Sequence, residues 1–277
     1  MPRVSVVLPV RDGARYLGGA VGSVLGQSLA DLELIVVDDG STDETPALLA
    51  RFDDPRLRVL RQDRLGLVPA LNRGLEAAEA PYVARMDADD VSLPERLERQ
   101  VAFLDAHPAA ALVLPGVELV DEEGRPVGTI VLPPGDADLR RRLLLRNPIT
   151  HGSVLLRRSA LERAGGYRAG HGANEDYDLW RRLAREWELA AIPELLYRYR
   201  VHPDAVTKTD PERVARREAL RDELWREPSL LREAAGERDP VEARALAREA
   251  LRRRRFALAL RLLGPGLSAR RTSPREP

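Results

Sequence analysis

Three carboxylates fall within four residues in the stretch Arg85-Met86-Asp87-Ala88-Asp89-Asp90, directly after the apolar run Tyr82-Val83-Ala84. Negative charge concentrated at the end of a strand is costly unless something offsets it. A hard divalent cation with oxygen ligands would do so, and such cations usually arrive with substrate phosphates. The same stretch also reads as a solvated acidic turn that caps the next helix, and a DxD on its own does not separate the two. A second acidic pair, Glu175-Asp176, opens an amphipathic pattern that runs to Trp187, where carboxylates also suit the helix dipole. The chain has no cysteine, which excludes disulfides and thiolate metal sites and leaves any metal to carboxylates and the four histidines.

The elements that must position these residues follow a regular rhythm. Residues 4–10 and 34–37 are aliphatic runs with few polar interruptions, the pattern of strands buried on both faces of a parallel sheet. Pro9 is expected to end the first. Leu17, Ala20, Val21, Val24 and Leu25 recur at helical spacing. Ser41 followed by Glu44 reads as a capping box that starts a helix. A strand at 57–60, a helix at 68–78 and a strand at 82–86 complete an alternation that predicts a doubly wound α/β half. In such sheets ligands sit at the carboxyl ends of the strands, so Asp12, Asp39 and Asp87 should share one crevice.

Further along, the pattern predicts a helix from Ser92-Leu93-Pro94 to about His107 and a hairpin of strands at 111–120 and 127–132. A helix at 136–146, a strand at 153–156, a turn at Gly165-Gly166-Tyr167 and a flexible loop at 168–173 precede the helix from Glu175. A last apolar stretch, 195–201, ends at His202. From Pro211 strand signals cease. Two or three helices are expected to pack on the first domain, with a break near 236–240 and a disordered tail from Ser268.

Composition narrows the class. With 277 residues, 44% hydrophobic and 32% charged, the chain has room for one large domain with an appendage and is not a disordered sequence. Basic and acidic residues number 44 each, so no global field points to nucleic acid. From Val241 onward ten arginines stand against three glutamates, a solvated face or a peripheral contact with anionic lipid. No run approaches the roughly 18 apolar residues of a membrane span, and 4–10 is too short for a secretory leader. The expected location is the cytoplasm, with any membrane contact peripheral at the inner face.

Six segments now combine: VSVVLPVRDGARYL, ELIVVDDGSTDET, YVARMDADDVSLPERLERQ, NPITHGSVLLRRSAL, NEDYDLWRRL and YRYRVHPDAV. In this order they resemble the inverting glycosyltransferases of family 2, over about residues 4–207. The resemblance implies an α/β fold of GT-A type, a Rossmann-like mixed sheet flanked by helices, with a C-terminal helical appendage. The catalytic domain would be 1–208, with a donor-binding half at about 1–107 and an acceptor half at about 108–208. The appendage would occupy 209–267 and the tail 268–277. The implied activity is transfer of one sugar from a nucleotide-diphosphate sugar, expected to be UDP-linked, to a glycan or lipid-linked acceptor, with Mn2+ or Mg2+. The QxxRW element of processive synthases is absent, which favours single addition. Arg11-Asp12-Gly13 departs from the asparagine that many relatives carry after an aromatic residue.

By the same resemblance, Pro9, Val10 and Asp12 lie in the loop around the base, and Asp39 matches the acid that hydrogen-bonds it. Arg85, Asp87 and Ala88 line the donor site, Asp87 at ribose or metal, and Asp89 is the metal ligand. Asp176 matches the catalytic base with Glu175 supporting it, His202 approaches metal or diphosphate, and His151 lies near the donor sugar or the acceptor. The chemistry is consistent: a leaving diphosphate needs a Lewis acid, and an acceptor hydroxyl needs a base on the opposite face of the sugar. Each residue also has a plain structural role open to it. Asp39 can stabilise its turn, Asp176 a helix start, Asp90 the local fold, and Arg85 and Arg96 can pair with the acidic cluster. Two rival readings remain on the residues alone: sugar-phosphate nucleotidyl transfer, for which 10–16 holds too few glycines, and a non-catalytic nucleotide-sugar-binding or scaffold protein.

Overall fold

Strand β1 (Val4–Val10) is buried along its whole length. Val6, Leu8 and Val10 point into one core and Val7 into another, so alternation is present but both faces are apolar. In the computed structural model, which describes residues 1–170, 174–202, 240–253, 258–259 and 262, this strand lies inside a nine-stranded sheet. It pairs in parallel with β2 (Leu32–Asp39) and β4 (Tyr82–Arg85), and β3 (Leu57–Gln62) continues in parallel beyond β2. Helices α1 (Ala14–Leu25), α2 (Thr45–Leu49) and α3 (Leu67–Ala77) make the crossovers. All four strands therefore end at the same edge, the edge at which such sheets bind ligands.

The second half closes back on the first. A short β5 (Val91–Ser92) leads into α4 (Arg96–Ala106), and β6 (Ala110–Val120) turns into β7 (Pro126–Ile130). After α5 (Asp136–Leu143) and a 3-10 turn at His151–Ser153, β8 (Leu155–Arg157) inserts antiparallel between β4 and β6. Helices α6 (Arg158–Ala164) and α7 (Glu175–Leu183) precede β9 (Glu188–Arg200), which runs parallel to β6. Antiparallel pairing of β9 with β5, Tyr197 opposite Ser92 and Arg198 opposite Val91, brings the end of β9 beside the 87–90 turn.

Two apolar cores sandwich the sheet. One gathers α1, α2 and α4; the other gathers α3, α5, α6 and α7 together with Ala243, Leu246, Ala247 and Ala250 of α8 (Pro240–Arg252). Among the described residues no helix is long and apolar enough to cross a membrane. The remaining helices expected after Pro211, the break near 236–240 up to Asp239, the tail from Ser268 and the end of the loop at 168–173 lie outside the described residues.

Several expectations are corrected. Pro9 does not end β1. Val7 accepts the last ladder bond from the Met86 amide and β4 then departs, so the missing N–H of Pro9 falls where no strand waits for it. Ser41 does not cap a helix: its hydroxyl accepts the Asp12 amide at 2.9 Å, and α2 begins only at Thr45, whose amide bonds Asp43 Oδ1 at 2.9 Å. Ser153 lies in the 3-10 turn rather than in a strand, α5 and α7 stop at Leu143 and Leu183, and α6 and the first half of β9 are additional. Arg96 makes no ion pair with the acidic cluster among the described residues. Fully buried, it donates to Gln100 Oε1 (3.0 Å) and the Arg85 carbonyl (2.8 Å) and rests over the Tyr197 ring. Burial pushes its guanidinium down to about 10.

Candidate active site

The acidic turn divides its labour. Arg85, buried at the end of β4, donates to Asp87 Oδ1 at 2.7 Å and to the Met86 carbonyl. Burial pushes the Asp87 carboxyl up, against the lowering influence of Arg85. Asp90 turns inward, accepting the Tyr197 hydroxyl at 2.7 Å and the Arg200 amide at 2.8 Å. Burial, with Asp87 and Asp89 beside it, holds its carboxyl well above the usual range, so Asp90 is a structural tie between the turn and β9. Asp89 remains partly exposed. Its carbonyl accepts Arg200 Nε at 2.9 Å and its Oδ2 meets His202 Nε2 at 2.9 Å. The β5–β9 pairing thus delivers Tyr197, Arg200 and His202 to one turn.

The 3-10 turn closes against the same carboxylates. A Cβ at Gly152 would stand 2.2 Å from the Tyr197 hydroxyl and 2.4 Å from Asp87 Oδ2, so only glycine lets the chain approach this closely. On the other side, Ala88 faces Gly13 of the β1–α1 loop. That loop is laced to the β2–α2 loop: Asp12, at φ 50°, accepts the Thr42 amide at 2.8 Å, and the Gly13 amide donates to Thr45 Oγ1 at 2.9 Å. Pro9 and Val10 are buried beneath it. Asp39 is buried and spends both oxygens on the β3–α3 loop, accepting Gln62 Nε2, the Leu65 amide and the Gly66 amide, each at 2.8 Å.

Helix α7 carries the second acidic pair, Glu175 and Asp176. Eight of its nine residues are buried, and Asp176 is the ninth. Asp178 anchors the helix through Arg181 (3.2 Å) and Arg182 (2.7 Å), and Arg182 also donates to the Gly166 carbonyl at 2.7 Å. Asp176 Oδ2 accepts Asn147 Nδ2 at 2.7 Å. Glu175 is buried and lies within the field of Arg85. His151 Nε2 lies 2.8 Å from the Tyr167 hydroxyl. Burial, then Arg85, pushes the His151 imidazole well below its usual value, and burial raises the Tyr167 phenol. Tyr167 feels Arg85, Asp176, Glu175 and Asp87, so both acidic groups converge on it.

A metal site is not preassembled: among the described residues no three His, Asp or Glu side chains are grouped to hold an ion. Asp89 and His202 form a pair, with Asp87 turned to Arg85 instead. One or two protein ligands with phosphate oxygens completing the sphere is the usual arrangement for Mg2+ at a nucleotide. His202 Nε2 is the nitrogen that meets Asp89, while Nδ1 is buried without a hydrogen-bond partner. The donor set fits a hard cation on these terms.

Residues 5–165 match the family model described as Glycosyl transferase family 2. The chain belongs to glycosyltransferase family 2. It is 35% identical over 209 residues to the amylovoran biosynthesis glycosyltransferase AmsE of Erwinia amylovora, covering 74% of this chain and 78% of AmsE. Among solved structures, S. aureus TarS 1-349 in complex with UDP-GlcNAc superposes with a TM-score of 0.64 at 20% identity, over 92% of this chain and 73% of TarS. The mannosyltransferase PcManGT from Pyrobaculum calidifontis, in complex with GDP-Man and Mn2+, gives 0.58 at 22% identity, over 95% and 85%. The fold is the GT-A fold, and the protein is a glycosyltransferase.

In this family 2 enzyme Arg85 pairs with Asp87 and Asp89 with His202 at the same turn, while Arg85 acts on His151 and Tyr167, and Asp87, Glu175 and Asp176 act on Tyr167. Asp12 and Asp39 tie down the β2–α2 and β3–α3 loops. Reasoning from the residues missed Asn147, Gly152, Tyr167 and Tyr197. Asn147 and Gly152 lie inside NPITHGS and Tyr197 inside YRYR, so their motifs carried a signal, though not their contacts.

Proposed function

We propose that the chain transfers a single sugar, with inversion, from a nucleotide-diphosphate sugar of the UDP class to a hydroxyl of a glycan or lipid-linked acceptor. The observation that supports this reading is Asp176, the one residue of α7 that is not buried, which acts together with Asp87 of the acidic turn on the Tyr167 phenol. Asp89 and His202 would hold Mn2+ or Mg2+, which when bound stabilises the charge of the leaving diphosphate. Asp12 and Asp39 organise the loops that receive the base, and Asp87 lies toward the ribose.

Asp176 takes the proton of the attacking hydroxyl. The Asn147 amide orients it, and a positioned base of this kind contributes about 10²–10⁴-fold. Direct attack opposite the leaving group inverts the anomeric centre. The buried face of α7, pinned by Asp178 through Arg182, fixes the base relative to the donor. The UDP-GlcNAc and GDP-Man bound in TarS and PcManGT support a nucleotide-sugar donor. The test is nucleoside diphosphate release from a panel of UDP- and GDP-sugars with manganese. Release above the Asp176→Asn background supports the reading, and no release from any donor refutes it.

A further inference from the structure

Tyr16 has no place in the mechanism above, yet three cationic or ionisable groups gather on its ring. It lies in the first turn of α1, partly buried, with the Arg15 guanidinium 4.7 Å and the Arg200 guanidinium 4.6 Å from its ring centroid. The His202 imidazole is tilted against it, with centroids 5.5 Å apart. The Tyr16 hydroxyl, by contrast, is buried without a hydrogen-bond partner. What these neighbours use is the face of the ring, whose negative potential attracts guanidinium.

Two of the three groups hold Asp89. Arg200 Nε donates to the Asp89 carbonyl at 2.9 Å, and His202 Nε2 meets Asp89 Oδ2 at 2.9 Å. Arg200 Nη1 reaches on to the Asp121 and Glu122 carbonyls, at 2.9 and 2.8 Å, and Arg15 pairs with the Glu122 carboxylate at 2.7 Å. The ring therefore lies where the start of α1, the β6–β7 turn and the end of β9 meet the acidic turn. It supports both the main-chain anchor and the side-chain anchor of one carboxylate.

The spacing of the anchored atoms matters for a cation. Two ligands at neighbouring corners of an octahedron, with bonds of about 2.0–2.1 Å, stand about 3 Å apart. Asp89 Oδ2 and His202 Nε2 already have that separation. An ion can join them without driving the side chains apart. It takes the same lone pairs as the hydrogen bond between them, however, so that bond is lost when the ion binds. The spacing then depends on what lies behind the pair, which is Tyr16.

We propose that Tyr16 is a positioning residue for the divalent cation: its ring, not its hydroxyl, seats Arg200 and His202 so that Asp89 Oδ2 and His202 Nε2 keep neighbouring-ligand spacing with the ion bound. This rests on the reading in which Asp89 and His202 hold the cation, and gives a role to a residue that reading leaves unused. Phenylalanine keeps the ring face and removes an unsatisfied buried hydroxyl. Leucine and methionine occupy the space without a π face.

The test titrates Mn2+ into full-length wild type, Tyr16→Phe, Tyr16→Leu and Tyr16→Met with UDP and, separately, GDP present, reading free and protein-bound ion by electron paramagnetic resonance. Diphosphate affinity in chelator and thermal unfolding are measured beside it. Tyr16→Phe is expected to bind Mn2+ within about twofold of wild type and to melt no lower. Tyr16→Leu and Tyr16→Met are expected to bind Mn2+ about 5- to 10-fold more weakly, the size of one cation–π contact, with diphosphate affinity in chelator unchanged. Wild-type Mn2+ affinity in those two variants overturns the proposal, and an equal loss in Tyr16→Phe does so by assigning the effect to the hydroxyl. A matching loss of diphosphate affinity in chelator, or failure of both aliphatic variants to fold, marks a general structural role and overturns it too. Mn2+ binding undiminished in Asp89→Ala refutes the cation reading and the proposal with it. A wild type that binds neither diphosphate refutes the transferase reading as a whole.

Discussion

Gly152→Ala puts the geometry of the donor site under the most direct strain. The new methyl would sit 2.2 Å from the Tyr197 hydroxyl and 2.4 Å from Asp87 Oδ2. Ordinary contact begins at 3.4 Å, so something must move by about 1 Å, and overpacking of this kind costs about 1–3 kcal/mol. Neither neighbour can yield freely. Tyr197 is fully buried and hydrogen-bonded to Asp90, and Asp87 is held by Arg85 at 2.7 Å. The 3-10 turn is therefore expected to shift, taking His151 away from Tyr167 and displacing Asp87. A 1 Å misplacement of a positioning group can cost about 10²-fold in rate. The assay is nucleoside diphosphate release alongside thermal unfolding: turnover should fall by about 10²-fold while the variant stays folded, with a melting temperature lowered by a few degrees. Turnover within twofold of wild type, with an unchanged melting temperature, would refute the close approach of the turn to Asp87.

Three further outcomes follow. Asp176→Asn should lower kcat by about 10²–10⁴-fold and leave nucleotide affinity unchanged in calorimetry, since the base acts on the acceptor alone. Asp39→Ala strands the Leu65 and Gly66 amides and Gln62, and should destabilise the protein by about 2–3 kcal/mol in urea unfolding while weakening nucleotide binding; a stability change under 0.5 kcal/mol would contradict the loop role. His151 has a folded-state value pushed well below its usual 6.5, so the unfolded chain binds more protons and stability falls as pH drops below about 6.5. The loss is at most about 1.4 kcal/mol per pH unit, and His151→Gln should flatten it; identical acid limbs for the two proteins would show that His151 does not stay neutral on folding.

The parallel half of the sheet was legible because its signal is local: aliphatic runs at β1 and β2 leave no alternative to burial on both faces. The acidic turn and Glu175-Asp176 were legible as candidates for the same reason. What could not be read is where a side chain's hydrogen bonds go. Ser41 and Glu44 have the spacing of a capping box, but the tertiary demand of the Asp12 amide recruits the Ser41 hydroxyl first. The structural role open to Asp90 in the sequence is filled by Tyr197, a partner 107 positions away that no local pattern reveals. Asn72 gives no signal in its own segment, because its partner lies 95 positions away at Tyr167. Pro9 was misread for a topological reason: whether a proline breaks a strand depends on whether a neighbour needs its N–H, and β4 has already left.

The central claim is that Asp89 and His202 bind a divalent cation that serves the leaving diphosphate while Asp176 activates the acceptor. The measurement that tests it most directly is nucleoside diphosphate release by wild type across a panel of neutral UDP- and GDP-sugars, with chelator and then with manganese restored. The account predicts release that chelator abolishes, manganese restores, and Asp89→Ala and Asp176→Asn each lose. Release that persists undiminished in chelator, or in Asp176→Asn, would contradict it.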